Sequence, residues 1–518
     1  TGLALLSLLP IAQQGHAADT AGHDQAITAL GLHLVFAGIW VGGLLTIVYL
    51  RKVLPPDRLI TVIGRYSSIA IICFVAVAFS GYISAELRIG TLAQLATPYG
   101  ILVLVKVAAL CALGLFGLAQ RRFLIARLER GLSAAGPTRS TPAKQGSRGK
   151  PGEQGEQAIA RGPFWWLIAA ELAFMGIASG VAAALARTAT PIAATPSTTT
   201  PAEILTGEPL PPPATVQQMI FGWNVDPLWV LGCAFALFFY LAGVWRLHKR
   251  GDRWPVGRTG AWVLGILVLF YATNGGVNFY QKTLFSAHMA AHMTLAMLVP
   301  LLLVPGAPIT LAMRAIRKRS DGSRGPREWI LLAVHSRLAA VFANPIVAAV
   351  LFVGSLWAFY YTPLFSWATT DHLGHEWMTF HFLITGYLFV QSLIGVDPVP
   401  YRLPYPFRLV LLLGTMAFHA FFGLSIIESH GLLLANWFGA MGRTWGPTPL
   451  ADQQLGGGIA WSIGEIPTLV LAIVVAIQWS RSDAKETKRR DRNADRTGEA
   501  ELNEYNAMLE RMAAKDRH

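Results

Sequence analysis

The sequence predicts an all-α, polytopic transmembrane helical bundle of about eleven full spans plus a partial first span, with both termini cytoplasmic. Three observations predict it. Apolar runs of about 20 residues recur along the chain, each long enough to cross a hydrocarbon layer of about 30 Å as a helix. Of the 518 residues 53% are hydrophobic and only 14% charged, whereas a soluble domain carries roughly 25% charged residues. Lys and Arg, finally, alternate from loop to loop along the chain. Backbone groups in lipid must be satisfied within their own segment, so helices are the expected form, and the strand alternation of an outer-membrane barrel does not occur.

The predicted spans are 25–50, 63–87, 98–120, 163–187, 227–247, 258–280, 284–304, 345–367, 371–394, 406–428 and 457–479. The opening stretch Thr1–Ala12 is too short to cross alone and reads as the end of a span that begins earlier. Segment 13–24 carries no Lys or Arg, and the next connection carries Arg51, Lys52, Arg58 and Arg65. Loop 88–97 has only Arg88, and linker 121–161 is basic and rich in Gly, Ser and Pro. Segment 188–226 has no basic residue, and the loop after it has Arg246, Lys249, Arg250, Arg253 and Arg258. Lys282 stands alone before the basic loop 305–344, segment 368–371 has none, and 395–408 holds Arg402 and Arg408. Loop 429–456 has only Arg443, and the tail after 480 is strongly charged. Every second connection is therefore basic, which places those loops and both termini in the cytoplasm.

The formal charge of +13 follows from these loops and the tail, so nucleic-acid binding is excluded as the reading of the charge. Cys73, Cys111 and Cys233 lie inside apolar runs without CxxC spacing, which argues against a disulfide framework or a thiolate metal site. The polar stretches divide the chain into a membrane domain over 1–190 containing the linker 121–161, an extracytoplasmic Pro/Thr-rich connector over 191–226, a seven-helix membrane domain over 227–480, and a charged cytoplasmic tail over 481–518. Ala500–Ala513 has the pattern of a short amphipathic helix, although a solvated tail is the simpler expectation.

The chemistry concentrates at one depth. Span 284–304 enters from outside, so His288 and His292 lie in its first turns, four apart on one face. Met289, Met293 and Met297 form a second stripe beside them. His372 and His375 stand at the mouth of span 371–394, with His381 about two turns deeper. Span 406–428 runs outward and carries His419 in its outer half, with Glu428 and His430 at its outer end. Asp452 is expected in the loop that follows, and Glu465 on the last span. Histidines at the membrane face are either interhelical hydrogen bonders or functional. Several at one depth, joined by thioethers, favour a metal site.

Imidazole suits several metals, whereas thioether sulfur selects soft ions, so Cu(I) is favoured over Cu(II) and over zinc. His288, His292, His372 and His375 are the first candidate ligands, with Met289 or Met293 as soft partners; His419, His381 and His430 come second. Asp452, Glu465 and Glu428 are candidates for orienting imidazoles from behind. In the first half His33 lies about a third of the way into its span, followed by Trp40, Gly42 and Gly43. Lys106 and Glu171 are intramembrane groups for which pairing is the expected role.

The stretch Ser286–Leu295 (SAHMAAHMTL), the histidines of His372–Phe389, the span bearing His419, and the Asp452–Gly458 and Glu465–Pro467 patterns resemble the CtaG-type cytochrome c oxidase assembly family, over roughly 215–480. The family's seven spans match those from 227 to 479. His33–Gly43 (HLVFAGIWVGG), Arg65–Ser68, Ser80–Gly81 and Pro98–Lys106 (PYGILVLVK) resemble the CopD-type copper resistance family over 25–190. The whole resembles the fused CopD–CtaG membrane proteins of actinobacteria. The resemblance implies copper uptake or transfer in the first half and copper supply to the oxidase during its assembly in the second.

The expected function is thus copper handling at an outward-facing His/Met site in the bacterial plasma membrane, without enzymatic activity. The expected partners are oxidase subunits or an extracytoplasmic copper chaperone, and the lipid bilayer. Two other readings stay open: a metal- or haem-dependent membrane enzyme, since HxxxH and HxxH spacings also occur in such proteins, and a metal-free assembly scaffold. No GxxxxGK[ST] loop is present, which argues against direct ATP-driven pumping.

Overall fold

The computed structural model describes residues 7–13, 22–119, 121, 163–191, 199–319 and 321–515. The expected linker 121–161, apart from Arg121, and residues 192–198 of the connector lie outside the described residues. Among the described residues every regular element is helical. Ten helices are long and apolar enough to cross a membrane, and a bent pair brings the number to eleven. The protein is a multi-pass membrane protein. Its chain divides into two compact units, Thr1–Pro209 with Val225–Leu231, and Leu210–Asn224 with Gly232–His518.

The first unit contains α1 (Leu8–Gln13), α2 (His23–Leu50), α3 (Pro56–Glu86), α4 (Pro98–Ala119), α5 (Pro163–Leu185) and α6 (Pro201–Thr206). Four of these helices open on proline, whose missing N–H and fixed φ suit a first turn. Trp40, Leu44 and Ile47 recur on one face of α2 and pack with Leu59, Ile60, Ile63, Cys73 and Val77 of α3, Leu113 of α4, and Ile168 and Met175 of α5. Cys73, Cys111 and Cys233 are free thiols.

The second unit runs through α7 (Val216–Phe221), α8 (Pro227–Lys249), α9 (Val256–Asn274), α10 (Gly276–Tyr280) and α11 (Phe285–Met293). A π-helical turn, Thr294–Leu298, joins α11 to α12 (Val299–Leu303). Then come α13 (Pro308–Ala315), α14 (Pro326–Val334), α15 (Arg337–Phe342), α16 (Pro345–Tyr360), α17 (Pro363–Thr370), α18 (His372–Ile394), α19 (Tyr405–Ile427), α20 (Pro449–Thr497) and α21 (Ala500–Lys515).

Three predicted spans differ from the observed helices. Span 345–367 is not continuous: α16 ends at Tyr360 and α17 leaves at 77°. Pro363 cannot donate back into α16, and Thr362 caps the new helix at the Leu364 N–H, 3.4 Å away. Span 284–304 is interrupted by the π turn. Pro300 has no N–H to give the Ala296 carbonyl four residues earlier, and Gly386 of α18 packs directly against that carbonyl. Span 457–479 lies inside a much longer helix that starts at Pro449 and runs to Thr497. Asp452 therefore sits in the first turn of α20, not in a loop.

Candidate metal centre

The helix α11 carries the centre. Ser286, His288, Met289, His292 and Met293 all lie on it and all are buried. Its N-terminus is fixed from α20: the Asp452 carboxylate accepts from the Phe285 N–H at 2.7 Å and from the Ser286 hydroxyl at 2.5 Å. A carboxylate at a helix N-terminus satisfies orphan N–H groups and complements the helix dipole. Asp452 was expected to orient an imidazole. Its oxygens instead anchor the helix that carries the imidazoles, because α20 begins early enough to bring Asp452 beside Phe285.

His288 and His292 stand one turn apart with ring centroids 4.3 Å from each other. Both are buried, and Nε2 of each makes no hydrogen bond to the protein. His288 is walled by the rings of Phe285, Tyr360, Phe365 and Phe438, at 5.2 to 6.4 Å between centroids. His292 lies against Phe382 at 4.5 Å and Phe359 at 5.5 Å. A buried imidazole nitrogen without a partner is costly, unless it is held ready for a ligand.

The last turn of α16 supplies the polar group that meets His292. Tyr360, the last residue of α16, places its hydroxyl 2.8 Å from Nδ1 of His292 and 3.7 Å from Sδ of Met289. The thioether can only accept. When the phenol donates to sulfur, its oxygen accepts from Nδ1–H of His292, and the lone pair of that ring is left on Nε2. Tyr360 was not a sequence candidate. A tyrosine within an apolar run reads as an interfacial or core ring; here it continues the buried face of α16 that carries Phe352 and Leu356, and its hydroxyl meets α11.

A second pair, with a thioether, begins at the residue after His292. Nε2 of His419, on α19, is 3.3 Å from Sδ of Met293. Gly464 of α20 makes room for this ring, since a Cβ there would stand 2.5 Å from Cε1 of His419. Glu465 is the neighbouring candidate and is exposed on the outer face of α20, roughly 100° around the helix from Gly464. It does not reach an imidazole.

The three histidines of α18 take different surroundings. Nε2 of His375 lies 3.3 Å from Nε2 of Gln281, which also bonds to Asn278. His381 stacks on Trp377 at 4.9 Å, and its Nε2 makes no hydrogen bond to the protein. His372 approaches Glu376 at 4.0 Å. That carboxylate was absent from the sequence candidates, although its spacing of four from His372 was a readable signal.

The remaining candidates are not brought in. Glu428 and His430 are exposed beyond the end of α19. His33 belongs to the first unit, where its Nδ1 is 3.1 Å from the Ser80 hydroxyl. Among the described residues no three His, Cys, Asp or Glu side chains are grouped as a metal site. The geometry is that of two donor pairs along one helix, His288 with His292 and Met293 with His419, flanked by Met289.

Comparison with known proteins places this helix in a family. Residues 238–482 match the model of the cytochrome c oxidase caa3 assembly factor, CtaG, and residues 60–185 match that of copper resistance protein D, CopD. The chain is a CopD–CtaG fusion. All the donors of both pairs fall in the CtaG domain, whereas His33 precedes the segment matched to CopD. An uncharacterised protein of Mycobacterium bovis and one of Mycobacterium tuberculosis are each 42% identical over 313 residues, 60% of this chain and 47% of theirs. A relative in Mycobacterium leprae is 40% identical over 313 residues, 60% of this chain and 48% of its own length. The chain thus spans about half the length of the curated relatives it matches. No solved structure matches the CopD–CtaG chain.

Proposed function

We propose that this CopD–CtaG protein binds Cu(I) on α11 of the CtaG domain and passes it to cytochrome c oxidase during assembly. The observation that carries the proposal is the pair of buried Nε2 atoms on His288 and His292, each without a protein partner, on rings 4.3 Å apart. Histidines four apart on a helix present their rings to one ion. Met289 and Met293 add thioethers, which select a soft cation. Structural zinc takes four ligands in a tetrahedron, and no grouping of three His, Cys, Asp or Glu is present among the described residues. Cu(I) tolerates fewer donors, so this set fits it better.

In this reading His288 and His292 hold the ion through Nε2, and Tyr360 fixes the tautomer of His292. The Met293–His419 pair is the next station along the same helix. The aromatic wall keeps water from the ion. Copper is cargo, the protein is not an enzyme, and the bacterial plasma membrane is its location. An extracytoplasmic copper chaperone is the donor or acceptor at the outer face. The families named for oxidase assembly and for copper resistance support this reading.

The test is a Cu(I) titration of the purified full chain against a chromophoric chelator. The wild-type protein retains copper against the chelator, and the His288→Ala, His292→Ala double variant loses it. Unchanged copper content in that variant removes the ligand assignment. A metal-free scaffold is the alternative that the same variant tests. It is established instead if the copper-free double variant still restores oxidase activity in cells lacking the wild-type protein.

A further inference from the structure

At the end of the CtaG unit where basic loops gather, a cavity of about 440 Å³ is lined by Arg246, Lys249, Arg250, Ala315 and Arg317. We infer that this cavity binds a phosphate group, carried by an anionic lipid headgroup or by a small phosphorylated solute. Four cations line it and no carboxylate does. The neighbouring Asp252 faces Arg314 instead, at 3.8 Å. Four like charges at one cavity repel, and two helix C-termini, those of α8 and α13, offset only part of that repulsion. An anion with several acceptor oxygens completes the balance, and guanidinium groups match phosphate geometry.

A general positive-inside signal needs basic residues only in the loop, at any position. Here four of them line one cavity. Ala315, which lines the cavity, belongs to a buried cluster with Tyr240, Leu247, Trp254, Ala307 and Leu311. The Trp254 indole donates to the Tyr240 hydroxyl at 3.2 Å, and that hydroxyl donates to the Gly306 carbonyl at 2.8 Å. Arg258 and Arg314 both lie over the Trp254 ring, at 5.0 and 5.7 Å. Lys249 lies 5.2 Å over the exposed ring of Trp245, a residue type that settles at headgroup depth. Four cations around one cavity, an apolar cluster reaching it at Ala315 and an interfacial tryptophan beside it make a headgroup-sized site.

The experiment compares the full chain with the Arg246→Gln, Arg250→Gln, Arg317→Gln triple variant, counting retained lipids by native mass spectrometry after reconstitution in phosphatidylglycerol or in phosphatidylcholine. A second triple variant, Lys318→Gln, Arg324→Gln, Arg327→Gln, removes the same charge outside the cavity. The wild type and the outside variant retain phosphatidylglycerol in preference to phosphatidylcholine, and the cavity variant loses that preference by about tenfold or more. If millimolar inorganic phosphate displaces the retained lipid, the site serves free phosphorylated solutes; if it does not, the headgroup is the ligand. Equal retention by the cavity variant and the wild type overturns the inference, as does equal loss from both triple variants. Should the cavity triple variant not fold, Arg317→Glu alone gives the same readout.

Discussion

The Tyr360 hydroxyl lies 2.8 Å from Nδ1 of His292 and within reach of the Met289 sulfur, so one phenol joins the most enclosed imidazole in the CtaG domain to a thioether. The link exists because Tyr360 lies on the buried face of α16, one turn after Leu356, where that face meets α11.

Tyr360→Phe keeps the ring and its packing and removes only the hydroxyl. Nδ1 of His292 then has no oriented acceptor, and the Nε2 lone pair is no longer fixed. Groups in this outer position are worth roughly 10- to 100-fold in metal affinity. Cu(I) affinity is expected to fall by about that factor with the thermal midpoint little changed, measured by chelator competition and by a melting curve in detergent.

Gly464→Ala places a methyl 2.5 Å from Cε1 of His419. Relief requires the ring to move away from Met293. The expected cost is about 1–3 kcal/mol of stability, as for overpacking elsewhere. In a His419→Ala background the same substitution is expected to be nearly neutral, so a double-mutant cycle reports the coupling. An unchanged cost in that background contradicts the contact.

Gly386→Ala meets a harder obstacle. The neighbour there is the backbone carbonyl of Ala296 in the π turn, which cannot rotate aside as an imidazole can. The expected loss exceeds that of Gly464→Ala, about 3 kcal/mol or more, seen as a lower melting temperature or as failure to accumulate in the membrane.

Asp452→Ala strips the Phe285 N–H and the Ser286 hydroxyl of their acceptor inside the protein. Leaving buried donors unsatisfied costs about 1–3 kcal/mol. Ser286→Ala, which removes a donor and leaves the Phe285 bond in place, is expected to cost less. Equal melting temperatures for Asp452→Ala and the wild type would remove the anchoring role.

The parts of this site legible in the sequence were those set by helix period. His288 and His292 with Met289 and Met293 share a helix by spacing alone, and their burial follows from the apolar run around them. His419 was legible as a second-rank candidate, but its pairing with Met293 was not, since that contact joins residues 126 positions apart. Asp452 and Glu465 were chosen for charge near the outer face. The structure separates them by helix phase and start: one reaches Phe285, and the other turns outward. His372, ranked with the first ligands, has the Glu376 carboxylate 4.0 Å away, a neighbour on its own helix.

The sequence by itself determined that this chain crosses the membrane many times through helices, because hydropathy and backbone satisfaction in lipid are properties of each segment alone. It also determined which imidazoles and thioethers share the face of one helix, because that needs only the rise and twist of the chain. Tertiary structure alone decided what faces them: the packing that sets Tyr360 of α16 against His292, the early start of α20 that brings Asp452 to Phe285, and the glycine beside His419. Each of these depends on the packing of segments far apart in the chain, and no local pattern encodes an angle between helices.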